Sequence, residues 1–240
     1  MNQVLFMASV LMVASGLIVG MFHHLHSQHA KRITLGLVAW LIWVGGLAGS
    51  GLLADQSLRP PALIFVVVPI VIFMVGLVTT GWGRAFALSF PVGLLLGGQS
   101  FSVVVEVMLH RLWQEGQIPH MLTWSGNNFD VFVGLTAPLA AWLVSRNRLG
   151  LRLAQAWTIA GLLMLANVVI RSVLTAPGPL HLLVTEVPNR LPAQFPYVYL
   201  VGFLAPLALA LHLMALRVWW LQPLAKAPFS NPLKKAGVNP

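Results

Sequence analysis

Along the chain, apolar stretches of roughly 20 residues alternate with short polar joints, the rhythm of helices crossing a ~30 Å hydrocarbon layer. Seven stretches stand out: Val4–Phe22, Ile33–Ala54, Ala62–Thr80, Ala85–Trp113, Phe129–Ser145, Leu151–Leu174 and Tyr197–Trp220. The runs are unbroken rather than alternating, so their backbone groups must be satisfied within helices and not in a barrel. "TTGWGR", with two glycines, divides the third stretch from the fourth. Pro91, near the start of the long fourth stretch, predicts a kink or a later true beginning. "APGPLHLLVTEVPNRLPAQFP", between the sixth and seventh, is too polar and proline-punctuated to span. No internal repeat is evident, so an inverted-repeat transporter gains no support. The pattern predicts an all-α bundle of seven transmembrane helices, one domain over residues 1–224.

The basic residues orient this bundle. With seven spans, Lys31, Arg32, Arg84, Arg146, Arg148, Arg152, Arg217, Lys226, Lys234 and Lys235 fall on one side. Arg59, Arg111, Arg171 and Arg190 fall on the other. The positive-inside rule then places the N-terminus outside and the C-terminus in the cytoplasm. Trp113 and Trp124 lie at the expected outer boundary and Trp82, Trp219 and Trp220 at the inner one, where amphipathic rings prefer to sit. No positive charge precedes the first stretch, so it reads as a retained helix and not as a signal peptide. The basic segment 225–240 reads as a disordered cytoplasmic tail that attracts anionic lipid or a partner subunit.

Composition agrees and narrows the options. The 240 residues are 58% hydrophobic and 8% charged, against about 25% charged in soluble domains. The net charge of +9 is therefore a topology signal rather than a nucleic-acid footprint. Without cysteine there is neither a disulfide framework nor a thiolate metal site, and no cofactor is implied.

One polar layer interrupts the apolar pattern. Glu106 lies seven residues before Trp113, roughly 10 Å below the outer boundary at 1.5 Å per residue. An ionisable residue at that depth is a functional-site candidate by default. Gln99, Ser102, Glu106, His110 and Trp113 recur at helical spacing on one stripe. In the sixth stretch Asn167 and Arg171 share a face; Arg171 either snorkels to the surface or pairs with Glu106 or Asp130. Asn127 or Asn128 can cap the fifth helix, and Asp130 suits its positive N-terminal end. Capping accounts for one Asn and the Asp. A shared pocket, roofed by the connections 114–128 and 175–196, also accounts for Glu106, His110 and Arg171.

The segment "GNNFDVFVGLTAP" (126–138), with "GGQSFSVVVEVMLHRLWQEGQIP" upstream, resembles a group of bacterial polytopic membrane proteins. The group carries Gly-Arg-Asn-Phe-Asp where this chain has Gly126-Asn127-Asn128-Phe129-Asp130, so Asn127 stands in place of a cation. The likeness covers about a sixth of the chain. It implies placement in the bacterial inner membrane and brings no activity.

Other motifs weigh less. "HHLHSQH" (His23, His24, His26, His29) is dense in imidazole, but its spacing fits no fixed tetrahedral pattern. It reads as a solvated loop before the second span, with a metal site as the weaker alternative. His212 could join His23 or His24 as a metal or haem pair, although nothing in the spacing demands it. A seven-span zinc hydrolase needs His-x-x-x-His on the last span, where only His212 is present. A retinal protein needs a lysine there, and none is found. The function expected from these readings is binding or transport of a small solute at Glu106, His110, Asn128, Asp130, Asn167, Arg171 and Gln99. A ligand-free structural subunit is the alternative, and an intramembrane enzyme using Glu106 and His110 comes third.

Overall fold

The structure is a computed structural model that describes residues 2–55, 57–58 and 60–221. Arg59 and the basic tail at 225–240, including Lys226, Lys234 and Lys235, lie outside the described residues. Among the described residues the chain is all helical, with no strand. The helices are α1 (Asn2–His24), α2 (Ser27–Gly49), α3 (Ile64–Thr79), α4 (Gly81–Leu88) and α5 (Val92–Gly97). They continue with α6 (Ser102–Gln114), α7 (Asp130–Ser145), α8 (Leu151–Thr175) and α9 (Ala205–Leu221). A 3-10 turn, Gly98–Phe101, joins α5 to α6, and a π-helical turn, Leu200–Leu204, leads into α9.

Five helical segments are long and apolar enough to cross a membrane: α1, α2, the rod Val92–Gln114, α8 and Leu200–Trp220. Outward side chains agree, since Leu35, Ile72 and Leu163 are 71%, 66% and 67% exposed. Contiguous apolar surface of this kind belongs in lipid, and the chain is a multi-pass membrane protein. The helix α7 has 16 residues, about 24 Å at 1.5 Å per residue, and falls short of a full span. Helix α3 also has 16 residues, and it counts as a sixth candidate only together with α4, from which it bends by 78°.

That bend corrects the expected start of the fourth span at Ala85. Thr80 turns to an extended backbone and its hydroxyl accepts from Gly83 N at 3.1 Å, capping α4. A Cβ at Gly83 would lie 2.7 Å from Leu77 Cα and closer still to the Leu77 carbonyl oxygen, so glycine is what allows the close turn. Arg217 of α9 donates to the carbonyls of Leu77 and Thr80, satisfying the exposed end of α3. The helix α4 then stops before Pro91, which cannot continue it and opens α5 instead.

A second correction concerns the histidines. The helix α1 runs through His24 and α2 begins at Ser27, because a polar first turn extends the second helix beyond its apolar part. His23 stacks edge-on against His24, and His26 against His29, as two pairs rather than one cluster.

The long rod Val92–Gln114 is the spine. Against it α7 runs antiparallel along a seam of small residues. A Cβ at Gly97 would sit 3.1 Å from Ala141 Cβ, and one at Gly134 would sit 2.8 Å from Val103 N. Side chains larger than hydrogen would force these helices apart. Helix α8 packs on α7 and α9, tied to α7 where Trp157 Nε1 donates to Thr136 Oγ1 at 2.9 Å. Helix α2 is tied to the start of α9 by Trp40 Nε1 to Gly202 O (2.7 Å) and Tyr199 OH to Leu41 O (2.9 Å). Two apolar clusters are stacked along the bundle. One, around Phe6, Leu112, Ile118 and Phe203, lies where α6 ends; the other, around Met21, Leu77, Leu95 and Trp219, lies where α6's partner segment α5 begins.

Candidate functional site at the junction of α6 and α7

Glu106 is carried by α6 two turns before its end and is 2% exposed. Its Oε1 accepts from Asn128 Nδ2 at 2.7 Å, while Oε2 has no partner. Asn128 is fully buried in the turn preceding α7. Its amide nitrogen also donates to Leu122 O at 3.1 Å, and its oxygen accepts from Asp130 N at 3.0 Å. One side chain thus joins α6, the loop 120–128 and the first residue of α7. The N-cap position itself is Phe129, and Asn128, one residue before it, takes the orphan N–H of Asp130.

Asp130 is buried beside Glu106, and its carboxyl group faces Ser102 of α6. Gly134, one turn further along α7, makes this pairing possible by letting the Ser102–Val103 backbone approach. Ser102 was visible in the polar stripe, although its link to Asp130 was not. The spacing of Asp130 and Gly134, four residues apart on one helix face, is the signal that could have found it.

Arg171 does not meet either carboxylate. Its Nε donates to Asn167 Oδ1 at 2.8 Å, and Asn167 Nδ2 donates to the carbonyl of Asn127 at 2.6 Å. Of the alternatives for Arg171, pairing with Glu106 or with Asp130 is therefore not what the structure shows. The local contact four residues away on the same helix holds the guanidinium, and Asn128 holds the Glu106 oxygen. Both arms nevertheless end on neighbouring residues, the Asn127 carbonyl and the Asn128 side chain. The stretch Gly126–Asp130 links α6, α7 and α8.

His110 and Gln99 lie on the same rod and serve other neighbours. The His110 ring stacks on Trp124 (4.3 Å, 9°) and packs against Trp113, and its Nε2 faces Gln114 Nε2 at 3.3 Å. It shares no hydrogen bond with Glu106. Gln99 is buried and donates to Ala208 O of α9 at 2.9 Å, leaving its own oxygen without a partner.

The two connections meet at this end. Glu186, in the second, accepts from the backbone N–H of His120, in the first, at 2.6 Å. That bond holds the Glu186 carboxyl below its ordinary range. His120 in turn packs on Trp113 and bonds Ser125. Glu115 meets Asn2, which places the start of α1 at this same end.

None of the seven candidate residues lines the cavity of about 850 Å³ or the smaller one of about 290 Å³. Among the described residues no group of three or more His, Asp or Glu side chains converges as a metal site. His212 is enclosed between α8 and α9, against Trp157 and Gly161, and does not join His23 or His24. No family model, curated protein or solved structure matches the chain.

Proposed function

We propose that this is a seven-span protein of the bacterial inner membrane, N-terminus outside, that binds or transports a small solute. The solute engages the polar layer where α6 meets α7, and Glu106 is its proton-carrying group. The observation that carries this reading is the buried carboxylate oxygen of Glu106 without a partner. A buried polar atom is ordinarily hydrogen-bonded, and an acid within a membrane helix is costly unless it has work to do. Ionised, Oε2 calls for a donor or a cation; protonated, it becomes a donor itself. Asn128 holds the other oxygen in both states. Asp130 and Ser102 flank the group, and Arg171 stands at the far end of the Asn127–Asn167 arm, available to an acidic ligand.

The short helices α3 and α7 fit a seven-span arrangement if the bilayer thins locally or their ends are shielded by neighbours. A second reading is a subunit of a membrane assembly in which the same residues lock the packing. It is favoured by the three hydrogen bonds of Asn128, which knit α6, α7 and the loop into one unit. The two readings separate in a thermal-shift screen of the purified protein across small metabolites, cations and pH. Solute binding predicts a stabilising compound whose effect disappears in Glu106→Gln. A wild type that responds to nothing, or a variant that responds as wild type does, ends the solute reading.

A further inference from the structure

Seven helices, α1 to α6 and α9, line the partly open cavity of about 850 Å³. Its size lies within the ~300–1,000 Å³ range of small-molecule sites. Its walls are apolar, with Phe73, Trp82, Phe86 and Phe90 prominent, and no charged residue lines it. The polar atoms of two lining residues are already occupied. Trp40 Nε1 donates to Gly202 O, and Ser100 Oγ donates to Gly97 O at 2.6 Å. Beyond the Trp82 indole N–H and the Ser100 hydroxyl oxygen, no lining side chain has hydrogen-bonding capacity left for a polar ligand. Glycine creates the room. A Cβ at Gly16 or Gly20 of α1, or at Gly36 of α2, would meet nothing within 4 Å, and all three residues line the cavity.

One end of the cavity adjoins the basic face. Lining residue Ile33 directly follows exposed Lys31 and Arg32, and exposed Arg84 lies between lining residues Trp82 and Phe86. The acids Glu106, Glu115, Asp130 and Glu186 lie at the other end of the bundle. We propose that the cavity holds one hydrocarbon chain of an anionic bilayer lipid, with its headgroup against Lys31, Arg32 and Arg84. The chain fits the apolar walls, and the acidic headgroup fits the cations at that edge.

The test uses the full chain in nanodiscs of mixed phosphatidylglycerol and phosphatidylcholine, followed by mild extraction and native mass spectrometry. Wild type is expected to retain phosphatidylglycerol in preference to phosphatidylcholine. Gly20→Leu and Gly36→Leu fill open space, and losing roughly ten carbon–carbon contacts weakens retention about tenfold. The double variant Lys31→Gln/Arg32→Gln is expected to lose the preference for the anionic lipid while still retaining lipid. Filled variants that keep as much lipid as wild type overturn the proposal, as does a wild type indifferent to headgroup charge. Independently of any variant, phosphatidylglycerol with a photoreactive chain should label Gly16–Met21 and Phe86–Phe90 above the outward-facing Val71 and Ile72. Equal labelling of both regions also overturns it.

Discussion

Removing the Asn128 side chain tests the site at its centre. Asn128→Ala deletes three hydrogen bonds, to Glu106 Oε1, Leu122 O and Asp130 N. At a net ~0.5–1.5 kcal/mol each, these contribute about 1.5–4.5 kcal/mol. The variant also strips Glu106 of its hydrogen-bond donor, because Oε2 is already without one. An abandoned buried acceptor costs a further ~1–3 kcal/mol. Interhelical hydrogen bonds in membranes average nearer 0.6 kcal/mol, so the two possibilities differ enough to measure. The assay is a double-mutant cycle with Glu106→Leu, read by reversible unfolding of the detergent-solubilised protein. If Asn128 is the partner of a buried carboxyl group, its loss is cheaper by about 1–3 kcal/mol once that group is gone. Additivity within ~0.5 kcal/mol would refute the reasoning, since Asn128 would then act on the loop and the α7 start alone.

Further predictions address the surrounding parts. Gly134→Ala places a methyl group 2.8 Å from Val103 N and Cγ2; it should destabilise by about 1–3 kcal/mol, while Gly46→Ala, with nothing within 4 Å, stays near neutral by the same unfolding assay. Arg171→Ala should leave the infrared carboxyl band of Glu106 unmoved, because the guanidinium bonds Asn167 instead; a displaced band would restore the cross-bundle pair. Arg217→Ala exposes the carbonyls of Leu77 and Thr80, and hydrogen exchange should rise first at the α3–α4 bend. Glu186 has its carboxyl lowered by the His120 N–H. Its tie is therefore fully present above the ordinary glutamate value near 4.3 and is lost as pH falls through the lowered one. Protection of the His120 amide should follow that course and be absent in Glu186→Gln.

How much of this was legible beforehand follows from the solvent. Lipid leaves a backbone few options, so apolar runs located the helices, and five of them satisfy the length for a span. Boundaries failed where polar residues extended or broke a helix. Ser27–Arg32 lengthened α2, and Thr80 with Pro91 detached α4 from the fourth stretch. Hydropathy is silent there because polar turns are compatible with helix outside the hydrocarbon. Glu106, Asn128 and Asp130 stood out because each is polar beside an apolar run.

Their partners were not legible, and Arg171 explains why. From spacing alone its guanidinium had two outlets, the membrane surface or a carboxylate across the bundle, and a bond to its own helix was not among them. The neighbour Asn167 is one turn away and is set by helix geometry. The carboxylate depended on how the loop 120–128 folds, which periodicity does not encode. That loop turns inward. Gly126 N donates to Thr123 O, and Asn127 N and Asn128 N donate to Met121 O and Thr123 O, bringing the two asparagines to the bundle. A Cβ at Gly126 would collide with the His120 carbonyl group, so this fold of the loop requires glycine. Asn128 then takes a Glu106 oxygen that Arg171 was one candidate to hold. An amide neutralises no charge, so the acid keeps an open oxygen and the electrostatic demand that a guanidinium would have met. On the function proposed above, that open oxygen is where a proton or a solute is taken up, which a closed ion pair would not permit.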